Sequence, residues 1–145
     1  MRPSEVLTRA TAYLERHGVD GARESAEALM MTVLSTDRAG LYARREGLSM
    51  SEARTFGRAL CQRCAGTPLQ HLIGEQAFRR ISVVVRPGVF IPRPETEVLV
   101  DVSLEVLEGG ENPVVVDVGT GTGAVALAIA DERPEARVFA TDLSP

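Results

Sequence analysis

Apolar positions recur at helical spacing through the first 65 residues and at strand spacing from residue 75 onward. Val6, Leu7, Ala10, Leu14 and His17 fall on one helical stripe; Gly18 stops that helix, and Asp20 stands where it can cap the next. Ala22, Ala26, Leu29, Met30, Val33 and Leu34 form the second stripe, and a short third segment runs from Arg38 to Arg45 and ends at Gly47. Ser49 or Ser51 caps a fourth helix with a buried face of Ala53, Phe56, Leu60 and Cys64. Gly66 ends it, and Pro68 forbids its continuation. The pattern predicts a small helical bundle.

Beyond residue 75 the period shortens. Ile81, Val83 and Val85 alternate with Ser82 and Val84, and an Arg86-Pro87-Gly88 turn follows, which predicts a strand or hairpin. Ile91-Pro92-Arg93-Pro94 cannot be helical throughout, because each proline restricts the residue before it. Pro94 instead suits the first turn of a helix running to about Glu108, with Val98, Leu99, Val102 and Val106 as its apolar side and Gly109-Gly110 at its end. Val114-Val115-Val116 is continuously apolar, as in a strand buried on both faces of a parallel sheet.

The chemistry concentrates directly after that strand. Asp117-Val118-Gly119-Thr120-Gly121-Thr122-Gly123-Ala124 leads straight into a helical Val125–Ala130, giving the order strand, glycine loop, helix. Glycines let the backbone turn tightly and approach a ligand closely, and the helix N-terminus beyond presents unpaired N–H groups. A second strand, Ala136 to Thr141, ends in Asp142, 19 residues past Gly123. That spacing puts a carboxylate at the carboxyl edge of the neighbouring strand, where it can accept hydrogen bonds from both hydroxyls of a ribose. A nucleoside-containing cofactor follows. Gly119, Gly121 and Ala124 also satisfy the dinucleotide pattern G-x-G-x-x-G/A, but Asp117 would repel a pyrophosphate and tolerate the zwitterion and sulfonium of S-adenosylmethionine.

Charge divides the chain. Residues 1–93 hold 14 Arg and 9 acids, a balance of +5, and residues 94–145 hold 2 Arg and 11 acids, a balance of −9. Residues 38–93 alone carry 10 Arg against Glu46, Glu52 and Glu75, a face suited to RNA or an acidic partner, with Arg44, Arg45 and Arg58 its natural contacts, unless these arginines simply solvate helix surfaces. The stretch Val114 to Ala130 is broken by Asp117 and three glycines, so no membrane span is expected. The N-terminus lacks a signal-peptide pattern, so the expected location is the cytoplasm. Cys61-Gln62-Arg63-Cys64 spells C-x-x-C inside a helix without a second cysteine pair, so it reads as two small residues on the inner face, not a redox or metal site. His17 reads as a terminal or core histidine, and Gln70 and His71 as structural.

Three segments together carry a family resemblance. Asp117 to Gly123 with Asp142 resembles the cofactor site of Rossmann-type S-adenosylmethionine-dependent methyltransferases. Ile91-Pro92-Arg93-Pro94-Glu95-Thr96-Glu97 resembles the HemK/PrmC family, and Gly66-Thr67-Pro68-Leu69-Gln70-His71-Leu72-Ile73-Gly74-Glu75-Gln76-Ala77-Phe78 is similar to that family's junction between its helical domain and a hairpin. The resemblance implies an α/β protein with an all-α substrate-docking domain at 1–74 and a β-hairpin connector at 75–93. The start of a Rossmann-like methyltransferase domain, truncated, would follow at 94–145. It also implies S-adenosyl-L-methionine as cofactor, held by Asp117, Gly119, Thr120, Gly121, Thr122, Gly123 and Asp142. The implied reaction methylates the side-chain amide of the glutamine in the Gly-Gly-Gln motif of class I peptide release factors, with the helical domain helping to hold that partner. Arg93, Glu95 and Thr96 are expected to line the cofactor or substrate cleft, or else to cap a helix.

The family's Asn-Pro-Pro-Tyr motif does not occur in these 145 residues. No catalytic residue is therefore assigned, and the chain is expected to be an N-terminal portion without activity of its own. A ribosomal-protein glutamine methyltransferase and an adenine-amine methyltransferase share parts of this layout. Readings of a different class are a partner-binding helical module and an NAD-dependent oxidoreductase.

Overall fold

Leu7, Ala10 and Leu14 of the first predicted stripe are buried on helix α1 (Pro3–Arg16), in a computed structural model that describes residues 1–144. They close on Ala22, Ala26, Leu29 and Met30 of α2 (Ala22–Leu34), with Leu41 of α3 (Arg38–Ala43) and Phe56 of α4 (Met50–Cys64) completing the core. These helices and a short α5 (Leu69–Ile73) make one compact unit, Met1–Ile73; a second begins at Gly74. No helix among the described residues is long and apolar enough to cross a membrane.

Local signals set the helix ends. Gly18, at φ 71, donates its N–H to Glu15 O while Val19 donates to Leu14 O, the paired bonds of a Schellman stop. Gly66, at φ 93, repeats the arrangement with Arg63, and Thr67 with Gln62, at the end of α4. Ser49 makes a capping box with Glu52: the Glu52 N–H donates to Ser49 Oγ, and the Ser49 N–H donates to Glu52 Oε2. Asp20 does not cap α2. Gly21, left-handed at φ 61, already occupies the cap position, so the aspartate falls one residue too early. Ala53 and Cys61, expected on the inner face of α4, are exposed, and Cys64 is half-buried. His17 is terminal rather than core; it bonds Tyr13 O and lies against the Tyr13 ring. Pro68, which stops α4, also opens α5, whose Leu69 and Leu72 pack on the bundle.

Two residues of this unit were not singled out by pattern. Glu27 is buried on α2, where its carboxylate accepts from Tyr42 Oη and pairs with Arg23 and Arg38. The Tyr42 hydroxyl holds that carboxyl below its ordinary pKa. Gly57, in the interior of α4, has open space where a Cβ would sit. Packing within the unit does not require glycine there, although it weakens a helix by roughly 0.5–1 kcal/mol relative to alanine.

The second unit opens with an antiparallel hairpin, β1 (Glu75–Phe78) and β2 (Ile81–Val84), joined by Arg79 and Arg80. A two-residue turn of this kind favours Gly or Asn at positive φ, yet Arg79 sits at φ 50. Its bonds offset that cost. Its N–H donates to Glu97 Oε1, and its guanidinium reaches Glu97 O, Asp101 and, by two nitrogens, Glu132. Glu97 and Asp101 lie on α6 (Glu95–Val106) and Glu132 on α7 (Ala124–Glu132), so one side chain joins the hairpin to both helices.

The buried face of α6 is not the expected one. Val98, Leu99, Val102 and Val106 are exposed, whereas Val100 is fully buried and Leu104 and Leu107 pack beside it on Phe78, Val83, Ala124, Ala128 and Ile129. Valine occurs on every side of this helix, so periodicity could not choose; Arg79 bonds Glu97 at the border of the buried face and Asp101 on the exposed flank beside it. The strand β3 (Val114–Val118) pairs in parallel with β4 (Arg137–Thr141), Val116 opposite Phe139. Helix α7 covers the side with Val115 and Val138, while Val114, Val116 and Val118 are exposed. Among the described residues β3 is thus buried on one face, not on both as its composition suggested.

Two outcomes follow. Arg79→Met keeps the stem and removes the guanidinium, leaving Glu132 unpaired; amide exchange at Phe78 and Ile81 should report a loss of about 3 kcal/mol. In the first unit, the Ser49 N–H and then Arg44 pull the Glu52 carboxyl down to about 2 from its ordinary 4.5. A depressed folded pKa gives stability that is present above about 4.5 and disappears as pH falls toward 2. Thermal midpoints of the native protein and Glu52→Gln should therefore differ at neutral pH and converge across that window.

Candidate cofactor site

The end of β3 and the end of β4 lie side by side because the strands run in parallel register, Val118 opposite Thr141. The chain leaves β3 through three left-handed glycines, Gly119 (φ 78), Gly121 (φ 55) and Gly123 (φ 78). Such backbone is costly for any residue with a Cβ, which is why the sequence alternates glycine with threonine here. Gly119 and Thr120 both donate their N–H to Thr141 O, at 2.8 and 3.0 Å, and Gly123 donates to Thr120 O at 2.8 Å. Gly123 then caps α7, whose first free N–H groups face the loop.

Two carboxylates frame this loop. Asp117 Oδ2 accepts from Thr120 Oγ1 at 2.7 Å. Asp142 Oδ2 accepts the Gly121 N–H at 2.9 Å and its Oδ1 the Ser144 N–H at 2.9 Å. Those backbone bonds, Ser144 first and Gly121 next, hold the Asp142 carboxyl below the usual carboxylate range, so it is ionised at neutral pH. Each oxygen keeps a second lone pair. A cavity of about 300 Å³ opens at this corner, lined by Val118, Gly119, Thr141, Asp142 and Leu143, with no cation among them.

The other residues singled out by sequence lie elsewhere. Arg93 stacks its guanidinium over the Phe90 ring at 5.2 Å, and its carbonyl accepts the Thr96 N–H. Glu95 stands in the first turn of α6. No hydrogen bond among the described residues joins these three to the glycine loop. Within that heptapeptide Glu97 is the one that works structurally, through Arg79, a pairing across 18 residues that no local pattern announces. His71 lies on α5 with a buried Nε2 that has no hydrogen-bond partner among the described residues.

The arginine-rich segment is less free than its count suggests. Arg44 is paired with Glu52, Arg38 with Glu27, Arg79 with Asp101 and Glu132, and Arg80 lies near Asp131. Arg44 is therefore spent on the α4 cap. Arg45, Arg54 and Arg58 have no carboxylate partner among the described residues. No group of three or more His, Cys, Asp or Glu among them could hold a metal ion.

Along the chain a helical bundle is followed by a hairpin and then by a strand, a glycine loop, a helix and an acid-ended strand. Residues 5–74 match the PrmC N-terminal domain, and the chain is similar along its length to release factor glutamine methyltransferases. It is 43% identical over 142 residues to the release factor glutamine methyltransferase of Moorella thermoacetica, covering 97% of this chain and 50% of that protein. The protein of the same name from Deinococcus radiodurans is 42% identical over 147 residues, covering 100% and 52% respectively. That from Mycolicibacterium smegmatis is 43% identical over 139 residues, covering 96% and 49%. The chain thus spans about half the length of the curated relatives it matches.

The loop geometry has a measurable consequence. An added Cβ at Gly119 would meet nothing within 4 Å, so Gly119→Ala should cost only the left-handed backbone term, about 1–2 kcal/mol. Faster amide exchange at Thr120, whose N–H is pinned to Thr141 O, is the expected sign.

Proposed function

We propose that the second unit is the opening of a Rossmann-like methyltransferase domain and that its glycine loop binds S-adenosyl-L-methionine. The observation that carries this reading is Asp142: an ionised carboxylate, aimed by two backbone N–H groups, with two acceptor lone pairs left over at the mouth of the cavity. Those lone pairs match the two hydroxyls of a ribose. The left-handed glycines keep side chains out of the loop, and the N-terminus of α7 stands ready for the polar end of the ligand. Asp117 and Asp142 with no cation in the lining disfavour a pyrophosphate and suit a sulfonium and an ammonium group, so this reading is preferred over a dinucleotide.

The cofactor would supply an electrophilic methyl group. In this chain Asp142 would hold the ribose, the backbone of Gly119 to Gly123 would pass beneath the ligand, and Thr120 would keep the Asp117 carboxylate fixed. The relatives' name points to the acceptor: the side-chain amide of a glutamine in a peptide release factor, which we take to be the Gly-Gly-Gln glutamine of the class I factors. Residues 1–74 would then serve as the domain that holds that protein, with 75–93 as connector. Arg93, Glu95 and Thr96 would border the acceptor side of the cleft. Work on a translation factor fits a cytoplasmic location.

Asp142→Ala removes the ribose acceptors together with the bonds that aim them. Equilibrium dialysis with labelled S-adenosylmethionine should show affinity lowered by roughly tenfold or more. Unchanged affinity would remove the ribose assignment, and binding of NAD in preference to S-adenosylmethionine would return the dinucleotide reading.

A further inference from the structure

Helices α1 and α4 leave a groove between them of about 510 Å³, with Val6, Ala10, Phe56 and Leu60 in its wall and floor. Its edge carries Arg9 and Arg16, and no acidic residue lines it. The carboxylates of α1 are turned away: Glu5 accepts the Arg2 N–H, and Glu15 lines the separate pocket that holds Glu27. Neither arginine has a carboxylate partner among the described residues; Arg16 donates only to Ala12 O. Along α4 the groove is bordered by Ala53 and Gly57, four residues apart and hence on one helix face. Gly57 has open space where a Cβ would lie, although nothing in the packing of its own unit calls for glycine. An occupant whose backbone comes close to α4 supplies the missing reason.

We propose that this groove docks an amphipathic helix of a partner protein, apolar on the side that enters and bearing Asp or Glu on its flanks. Charge complementarity selects that chemistry: an apolar trough edged by two unpaired guanidiniums repels a basic helix and pairs with an acidic one. Nucleic acid fits less well. Phe56 is buried, and Tyr13, the other ring that lines the trough, is half-buried with His17 against it, so a base finds little exposed ring on which to stack. The surface belongs to the first unit alone and does not depend on the cofactor reading of the second.

The test titrates the 145-residue chain against fluorescein-labelled synthetic helices with Leu at i, i+3, i+4 and i+7, one flanked by Glu and its twin by Lys. Anisotropy should show the Glu peptide binding roughly tenfold tighter or better, with the margin narrowing as salt rises. Arg9→Glu with Arg16→Glu should reverse the preference. Gly57→Leu should fill the trough and cut affinity about tenfold while the thermal midpoint stays level or rises, because leucine is the better helix former and its Cβ enters open space. Equal affinity for the two peptides, or full binding by a Gly57→Leu variant that is folded, overturns the proposal. So does displacement of the Glu peptide by oligouridylate, or self-association of the chain that the Glu peptide cannot compete.

Discussion

The parallel pairing of β3 with β4 is the constraint on which the chemistry of this chain depends. Five residue pairs from Val114 opposite Arg137 to Val118 opposite Thr141 bring two strand ends to the same edge. Thr141 O then takes two loop N–H groups, and the next residue, Asp142, takes a third from Gly121. A shift of one residue along β4 would leave the loop amides without that carbonyl and turn Asp142 to the opposite face. Register therefore sets loop shape, and loop shape sets where the ionised carboxylate stands.

The pairing needs support from one side. Helix α7 covers Val115 and Val138, and α7 is held in turn by Arg79, which reaches it from the hairpin and grips α6 as well. A small unit with few fully buried side chains gains much from such a multiply bonded guanidinium, since one residue fixes three elements. The first unit is built differently. Its order rests on interlocking apolar stripes and on caps that close each helix locally, with Glu27 the single charged side chain taken deep into its core among the described residues.

What was legible in the sequence was whatever is decided over a few residues. Gly18, Gly66 and the Pro87-Gly88 turn act within one helical turn or one β-turn and the structure uses each as read, while of the two serines offered as a cap it uses Ser49 and adds Glu52 as its partner. The strand, glycine loop, helix and second strand likewise lie in the order their spacing suggests, with Asp142 directly after β4. What stayed hidden depends on distance in sequence. Arg79 finds Asp101 and Glu132 across 22 and 53 residues, Tyr42 finds Glu27 across 15, and the inward face of the valine-rich α6 is the one that meets Phe78, Val83 and α7. Asp20 failed as a cap for a local reason of its own, the left-handed glycine beside it.

The two units differ in build: a helical one that matches the PrmC N-terminal domain, and an α/β one that carries the glycine loop and Asp142. The most direct measurement is a heteronuclear NMR titration of the chain with S-adenosylhomocysteine, which registers weak binding as readily as tight. Shifts confined to the amides of residues 119–123 and 142–144, and lost in Asp142→Ala, are the predicted result. Shifts that bypass those residues, or that survive the substitution unchanged, would contradict the account.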